Sequence, residues 1–299
     1  MPPQPHPPRL LNSVPLTATR TALFVDSPAM QRVVQVQVLH PDSTEPRPSL
    51  YLLDGVDAGD SESTWTAKTD VASFFAHRKV NVVLPVGGAG SYYTDWQRPD
   101  PALGVNRWET FLTSELPPLI DGQLHGNGAN AVAGLSMGGH AALNLITRHP
   151  DLYRGVAAFS ACPDSLDPNA RSTVRATVAS KGGDANNMWG PDDNPDWAAH
   201  DPMTNAAALR GKTVYLAVGN GIPGPHELLR PFDQEVWESA TSGAALEWAA
   251  MTCTRDFQAR LAAVGASGVF DYELYGTHSW PYWQDYLHDA WPTLARALS

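Results

Sequence analysis

Cysteine is nearly absent from this chain of 299 residues: Cys162 and Cys253 are the two it has. Two cysteines are too few for a disulfide scaffold, and these have no metal-site spacing. They fit either one bridge in an oxidising compartment or two buried free thiols. Positive charge is also scarce, with 20 Lys and Arg against 31 Asp and Glu and a formal net charge of −11. Such a chain repels phosphate backbones and anionic membranes, and no Lys/Arg run overrides the average, so nucleic acid is excluded as a partner. No stretch approaches the roughly 20 apolar residues of a transmembrane helix. Met1–Pro8 is Pro-rich and lacks the apolar stretch of a secretory signal. Internal repeats and low-complexity linkers are missing from the body of the chain.

What is present is a globular composition, 43% hydrophobic, at a length that suits one large domain or two small ones. Strand-like runs recur at Val33–Leu39, Ser49–Leu53, Val80–Val86, Ala129–Leu135, Gly155–Phe159, Thr213–Val218 and Val269–Leu274. The first alternates polar and apolar residues, which predicts a half-exposed strand near the sheet edge. The middle ones are almost wholly apolar, as strands covered on both faces are. Helical patterns fall between them at Asp70–Arg78, Trp108–Ile120, Met137–Arg148, Ala245–Val264 and Tyr282–Leu298. This alternation predicts an α/β fold, a mostly parallel central sheet flanked by helices. Asn186–Asp201, with two tryptophans, reads as an ordered excursion, and Gly221–Pro231 as a Gly/Pro loop.

The pentapeptide Gly134-Leu135-Ser136-Met137-Gly138 fits G-x-S-x-G. An apolar strand leads in and a helical run leads out, the context a nucleophile elbow requires. The glycines clear space around a serine held at a strained turn. The Met137 N–H, at the start of the following helix, is placed to donate to an oxyanion. In this type of fold the base follows late in the chain. His278, in the turn after Val269–Leu274, is the candidate, whereas His288 lies within a helical pattern. The acid stays open on spacing alone among Glu227, Asp233, Glu235, Glu238, Glu247, Asp256 and Asp271.

From about Asp26 to Leu298 the chain resembles the mycolyltransferase family typified by the antigen 85 complex. The resemblance rests on Tyr51–Gly55, Val83–Gly88, Ser91–Trp96, Trp108–Pro117, Gly134–Met137, Met188–Pro191, Gly219–Gly221 and Gly276–Trp280. It implies an α/β-hydrolase fold, with residues 1–25 as an N-terminal Pro-rich segment and 26–299 as a single domain. It also implies a triad of Ser136, Glu247 and His278, an oxyanion hole from the backbone N–H groups of Val56 and Met137, and sugar contacts at Asp54, Asp57, Ser279 and Trp280. Asp57 stands where mycobacterial members carry Arg, so a cationic sugar contact becomes anionic. Cys162 and Cys253 resemble a disulfide pair of corynebacterial-type members.

The implied activity is transfer of a mycolyl or corynomycolyl group from trehalose monomycolate to a second trehalose monomycolate or to arabinogalactan. It proceeds through a Ser136 acyl-enzyme, with no metal and no organic cofactor. The implied location is secreted or in the cell envelope, with any signal peptide removed. Fibronectin binding, which the family places near Val71–Asn81, is not carried over because that segment differs. A carboxylesterase or thioesterase of the same fold is the alternative enzyme. A non-catalytic cell-wall or matrix-binding protein is the alternative of another class.

Overall fold

The computed structural model describes residues 6–299; the first five residues of the Pro-rich segment lie outside the described residues. Nine strands form one sheet in the order β1-β2-β3-β5-β4-β6-β7-β8-β9. They are β1 Arg9–Thr17, β2 Arg20–Ser27, β3 Arg32–Leu39, β4 Arg47–Leu53, β5 Asn81–Pro85, β6 Gly126–Leu135, β7 Tyr153–Phe159, β8 Thr213–Val218 and β9 Val269–Tyr272. From β5 through β9 all pairings are parallel, whereas β1, β2, β3 and β5 pair antiparallel in succession. The expected mostly parallel sheet with flanking helices is what the chain forms.

Two expectations are corrected. A boundary at residue 26 falls inside β2, and residues 9–25 belong to the same hydrogen-bonded sheet as the rest. β3 is not near the edge: β1 and β2 extend the sheet beyond it. The physical reason is a pair of hairpin turns: the one at Ser27–Arg32 pairs β2 along the whole of β3, and the one at Thr17–Arg20 adds β1 beyond it.

The central strands are apolar on both faces because helices cover both. Tyr51 and Leu53 of β4 face a core with Met137, Leu143, Ile146, Trp108 and Phe257. Leu50 and Leu52, one residue out of phase, face Trp65, Phe75 and the last helix, Trp280–Leu298. The Trp-bearing excursion is ordered, as expected: Trp189 and Trp197 are fully buried. A sequence run with Pro at its start also forms the helix Pro168–Ala179, capped by the Asp167 carboxylate, which accepts from the N–H groups of Asn169 and Ala170. That helix and the short helix Thr64–Lys68 were not predicted.

The helix Met137–Arg148 runs from the sheet's carboxyl edge to the far side of the molecule, where its end is tethered. Glu109 is buried, and its Oε1 accepts from Arg148 Nε and His149 Nε2, each at 2.7 Å. His200 Nε2 lies 3.5 Å from the other carboxylate oxygen. Burial opposes ionisation of Glu109, yet the hydrogen bonds from His149 and Arg148, the charge of Arg148 and the nearby His200 ring outweigh it and hold the carboxyl below the usual range. A depressed carboxyl pKa stabilises the fold above the ordinary glutamate value of 4.5, and that contribution is lost as pH falls below it. Glu109→Gln is therefore expected to lower stability by about 2 kcal/mol at neutral pH. Thermal unfolding of both proteins should show the difference in Tm shrinking as pH drops below 4.5; a pH-independent gap would contradict the tether.

Candidate active site

Ser136 sits where β6 ends and the helix Met137–Arg148 begins, with φ 52° and ψ −121°. A non-glycine residue at positive φ is strained, by about 1–3 kcal/mol, and persists only where its surroundings over-determine it. Here the surroundings are close. A Cβ on Gly134 would lie 2.3 Å from the Gly138 carbonyl oxygen, and one on Gly138 would lie 2.3 Å from that of Asp54. The Ser136 N–H donates to Phe159 O at 2.8 Å, fixing the turn against β7.

The structure brings the three expected residues together. Ser136 Oγ donates to His278 Nε2 at 2.8 Å, and His278 Nδ1 donates to Glu247 Oε2 at 2.9 Å. Among the acids left open by spacing, Glu247 is the one that reaches His278. It enters from the first turns of the helix Ala244–Ala263 and is completely buried. A buried carboxylate needs its lone pairs satisfied. Its Oε1 accepts from Ser160 Oγ and from the Gly219 N–H, both at 2.7 Å.

Sequence reasoning missed this supporting shell. Ser160 follows β7 at φ 50°, and its Oγ accepts from Trp283 Nε1 at 2.9 Å. The Trp283 ring meets the His278 ring edge to face, with centroids 4.9 Å apart. Glu227, another of the open candidates, serves the base from the other side. It is buried and accepts from Thr277 Oγ1, Tyr282 OH and Ser239 Oγ at 2.7 Å each, and from the Gly224 N–H at 2.9 Å. Burial would raise its pKa, but these four donors hold it lower than usual. A carboxylate fixed in this way pins Thr277, the residue before His278. No local pattern marks Ser160, whose partners Glu247 and Trp283 lie far away in sequence; Glu227 bonds locally to Gly224, but its contacts to Thr277 and Tyr282 are equally distant.

Cys162 and Cys253 are disulfide-bonded. The bridge ties the helix bearing Glu247 to the loop that follows Ser160. A π turn, Ser239–Gly243, leads into that helix, and its last carbonyl accepts from the His278 N–H at 3.1 Å.

The expected oxyanion donors lie on touching segments. Met137 opens its helix, where the first N–H groups have no intrahelical acceptor. The Asp54-Gly55-Val56 turn packs on Gly138, and a Cβ on Gly55 would fall 2.7 Å from a Leu135 methyl. Val56 is half-buried, and its carbonyl accepts from the Gly90 N–H at 3.2 Å.

The expected sugar contacts divide. Asp54 is corrected: it is 1% exposed, and its carboxylate accepts from Ser63 Oγ and the N–H groups of Thr64 and Trp65 at 3.0–3.2 Å. It caps the helix Thr64–Lys68 and faces away from solvent; burial, opposed by those bonds, raises its pKa to about 7. Asp57 is exposed and pairs with Lys181. Ser279 and Trp280 are half-buried beside His278 at the start of the last helix. Trp280 packs edge-on against Trp65 and Trp283. A polar cavity of about 330 Å³, lined by Glu109, Arg148, His149 and others, lies at the far end of the nucleophile-bearing helix and includes none of Ser136, Glu247 and His278. Asp271, Glu273 and Asp289 bring carboxylate oxygens within 4.8 Å of one another near the surface. Tyr215 donates to Asp271 there, and the group does not touch the triad.

Residues 27–294 match the family model described as "Putative esterase". The chain is 36% identical over 289 residues to the diacylglycerol acyltransferase/mycolyltransferase Ag85A of Mycobacterium tuberculosis, covering 92% of this chain and 80% of that protein. It is 34% identical over 292 residues to Ag85B of Mycobacterium leprae, covering 92% and 83%. Among solved structures it is similar to MPT51 of M. tuberculosis, with a TM-score of 0.77 at 28% identity over 93% of this chain and 98% of that one. It shares its fold with an S-formylglutathione hydrolase from Agrobacterium tumefaciens, TM-score 0.69 at 16% identity. The chain belongs to the mycolyltransferase family, within the esterases of α/β-hydrolase fold, and is an enzyme of acyltransferase or esterase type.

Two changes test the supporting shell. Ser160→Ala removes a charge-assisted bond to Glu247, and kcat on a p-nitrophenyl ester is expected to fall about tenfold with KM little changed, given about 1.5–3 kcal/mol for such a bond. Unchanged kcat would remove Ser160 from the site. Cys253→Ser is expected to cost about 2–4 kcal/mol of stability, read as a lower denaturant midpoint; an unchanged midpoint would show that the bridge does not hold the helix.

Proposed function

We propose that this member of the mycolyltransferase family moves a mycolyl or corynomycolyl chain from trehalose monomycolate to a second trehalose monomycolate or to arabinogalactan. The observation that carries the reading is the unbroken hydrogen-bonded series Ser136–His278–Glu247, with hydrogen bonds of 2.8 and 2.9 Å.

In the first half-reaction His278 Nε2 takes the proton as Ser136 Oγ attacks the donor's ester carbonyl. Glu247 holds the imidazole in the tautomer that leaves Nε2 free to accept, and offsets the positive charge that develops. The N–H groups of Met137 and Val56 hold the oxyanion, each contributing about 3–4 kcal/mol. The imidazolium returns its proton to the departing sugar alkoxide, leaving Ser136 acylated. In the second half-reaction His278 deprotonates the acceptor hydroxyl, which attacks the acyl-serine at the same oxyanion site; the imidazolium then returns that proton to the departing Ser136 Oγ, restoring serine and neutral histidine. No step calls for a metal or an organic cofactor.

Large exposed apolar side chains support a long-chain substrate. Leu228, Leu229, Phe232, Trp237, Leu246 and Trp248 are each at least half exposed, on the segment that carries Glu247. An apolar surface concentrated there favours an acyl chain over a small polar ester. The Cys162–Cys253 bridge supports a secreted or cell-envelope location, since such bonds persist in oxidising compartments. Among the described residues no helix is long and apolar enough to cross a membrane.

Hydrolysis is the second reading. It is favoured by Asp54, whose carboxylate is used as a helix cap, and by Asp57, which places a carboxylate where the resemblance expects a cationic sugar contact. Transfer requires the acceptor sugar to be oriented well enough to outcompete water. With a short-chain trehalose monocorynomycolate as donor, chromatography of the products is expected to show the diacylated trehalose. Free acid as the sole product would make the protein an esterase. Glu247→Gln is expected to lower turnover by about three to four orders of magnitude, the scale seen when the tautomer-holding acid of such a triad is lost; near wild-type turnover would move the acid elsewhere.

A further inference from the structure

Lys181 lies outside every motif of the proposed reaction, yet it converges on the loop that carries Val56. Its Nζ pairs with the Asp57 carboxylate across 124 positions of sequence. Its stem lies against Gly90: a Cβ at that glycine would approach Lys181 Cβ and Cγ to 3.0 Å. Gly90, at φ +65°, in turn donates its N–H to the Val56 carbonyl. Lys181 therefore reaches the Val56–Asp57 segment twice, once through charge and once through the backbone of Gly90.

The remaining restraints on this loop fall on either side of Val56. Asp54 is held by the helix Thr64–Lys68, the Asp57 carbonyl accepts from Thr64 Oγ1 at 3.3 Å, and the Gly59 carbonyl accepts from the Gly87 N–H at 2.8 Å. Those bonds fix the path of the loop. The Val56 N–H belongs to the peptide unit shared with Gly55 and the Val56 carbonyl to the next unit, shared with Asp57. Gly90, backed by Lys181, holds that second unit, which limits the rotation about Val56 that would re-aim its N–H. The Lys181 side chain is 29% exposed and that of Asp57 76%, so the ion pair bridges from the protein body to the outer wall of the loop.

We infer that Lys181 is a positioning residue: paired with Asp57, it latches the oxyanion loop to the turn after the helix Pro168–Ala179 and fixes the aim of the Val56 N–H. The inference rests on the reading of Val56 as an oxyanion donor. The latch acts on the transition state, in which the oxyanion exists, and leaves ground-state binding alone. Asp57 is then the outer half of a latch, and a cation is supplied to it from position 181.

Steady-state hydrolysis of p-nitrophenyl butyrate by the full chain tests this. Lys181→Met keeps the stem against Gly90 and removes the charge. It is expected to lower kcat by about two- to fivefold, the range open to a partly exposed ion pair, with KM changed less. Asp57→Lys should lose a similar factor, and the exchanged double variant Asp57→Lys/Lys181→Asp should recover most of it. Wild-type kcat should fall with added salt while that of Lys181→Met stays flat, because screening weakens the pair. Full kcat in Lys181→Met, or loss in both single variants without recovery in the exchange, would overturn the latch. Val56→Pro, which deletes the N–H, separates this from failure of the underlying reading. A loss of about a hundredfold or more with an inert Lys181→Met would reject the latch alone. Wild-type kcat in Val56→Pro would reject Val56 as a donor.

Discussion

A single buried carboxylate organises the carboxyl edge of this sheet. Glu247 has no exposure, and an isolated charge so placed would cost far more than the whole net stability of a domain. It is tolerable because three donors converge on it from separate parts of the chain: Ser160 after β7, Gly219 after β8 and His278 after β9. Each donor must arrive within about 3 Å, so the ends of three neighbouring strands are set relative to one another and to the helix Ala244–Ala263. The disulfide from Cys253 to Cys162 and the π turn before the helix reinforce that placement. The same arrangement gives His278 its orientation toward Ser136.

The strain at Ser136 and that at Ser160 belong together. Both are non-glycine residues at positive φ, and each N–H donates to the neighbouring strand, Ser136 to Phe159 and Ser160 to Ala217. The strand ends therefore turn sharply while remaining hydrogen-bonded, which turns one hydroxyl to His278 and the other inward to Glu247. Close packing around Gly134 and Gly138 maintains the first turn. Strain is carried locally at both serines, a pattern commonly found at functional sites.

Much of this was legible in the amino-acid sequence, for identifiable reasons. Apolar runs marked β4 through β8 because helices cover both faces, and Gly134 to Gly138 marked the elbow because its crowding is local. β1 was not read because Arg9–Thr17 is exposed along nearly its whole length and carries no inward-facing periodicity; β2, though mostly buried, was not read either. Spacing could not separate Glu247 from Glu227, since both are buried acids near His278 and only three-dimensional packing assigns one to the imidazole and the other to Thr277. The resemblance to relatives identified Glu247, but the same resemblance placed Asp54 at a sugar, whereas here its oxygens cap a helix. Asp57 shows the limit of position-by-position comparison. The substitution looks like loss of a cation until Lys181 is found beside it.

Chemical capture of the acyl group tests the Ser136–His278–Glu247 relay most directly. The protein is mixed briefly with p-nitrophenyl butyrate, quenched in acid and digested, and the peptide carrying the butyryl group is located by mass spectrometry. The expected result is one butyryl group on the peptide containing Ser136, and none when Ser136 is replaced by Ala. A butyryl group on another residue, or equal labelling of the Ser136→Ala protein, would contradict the account.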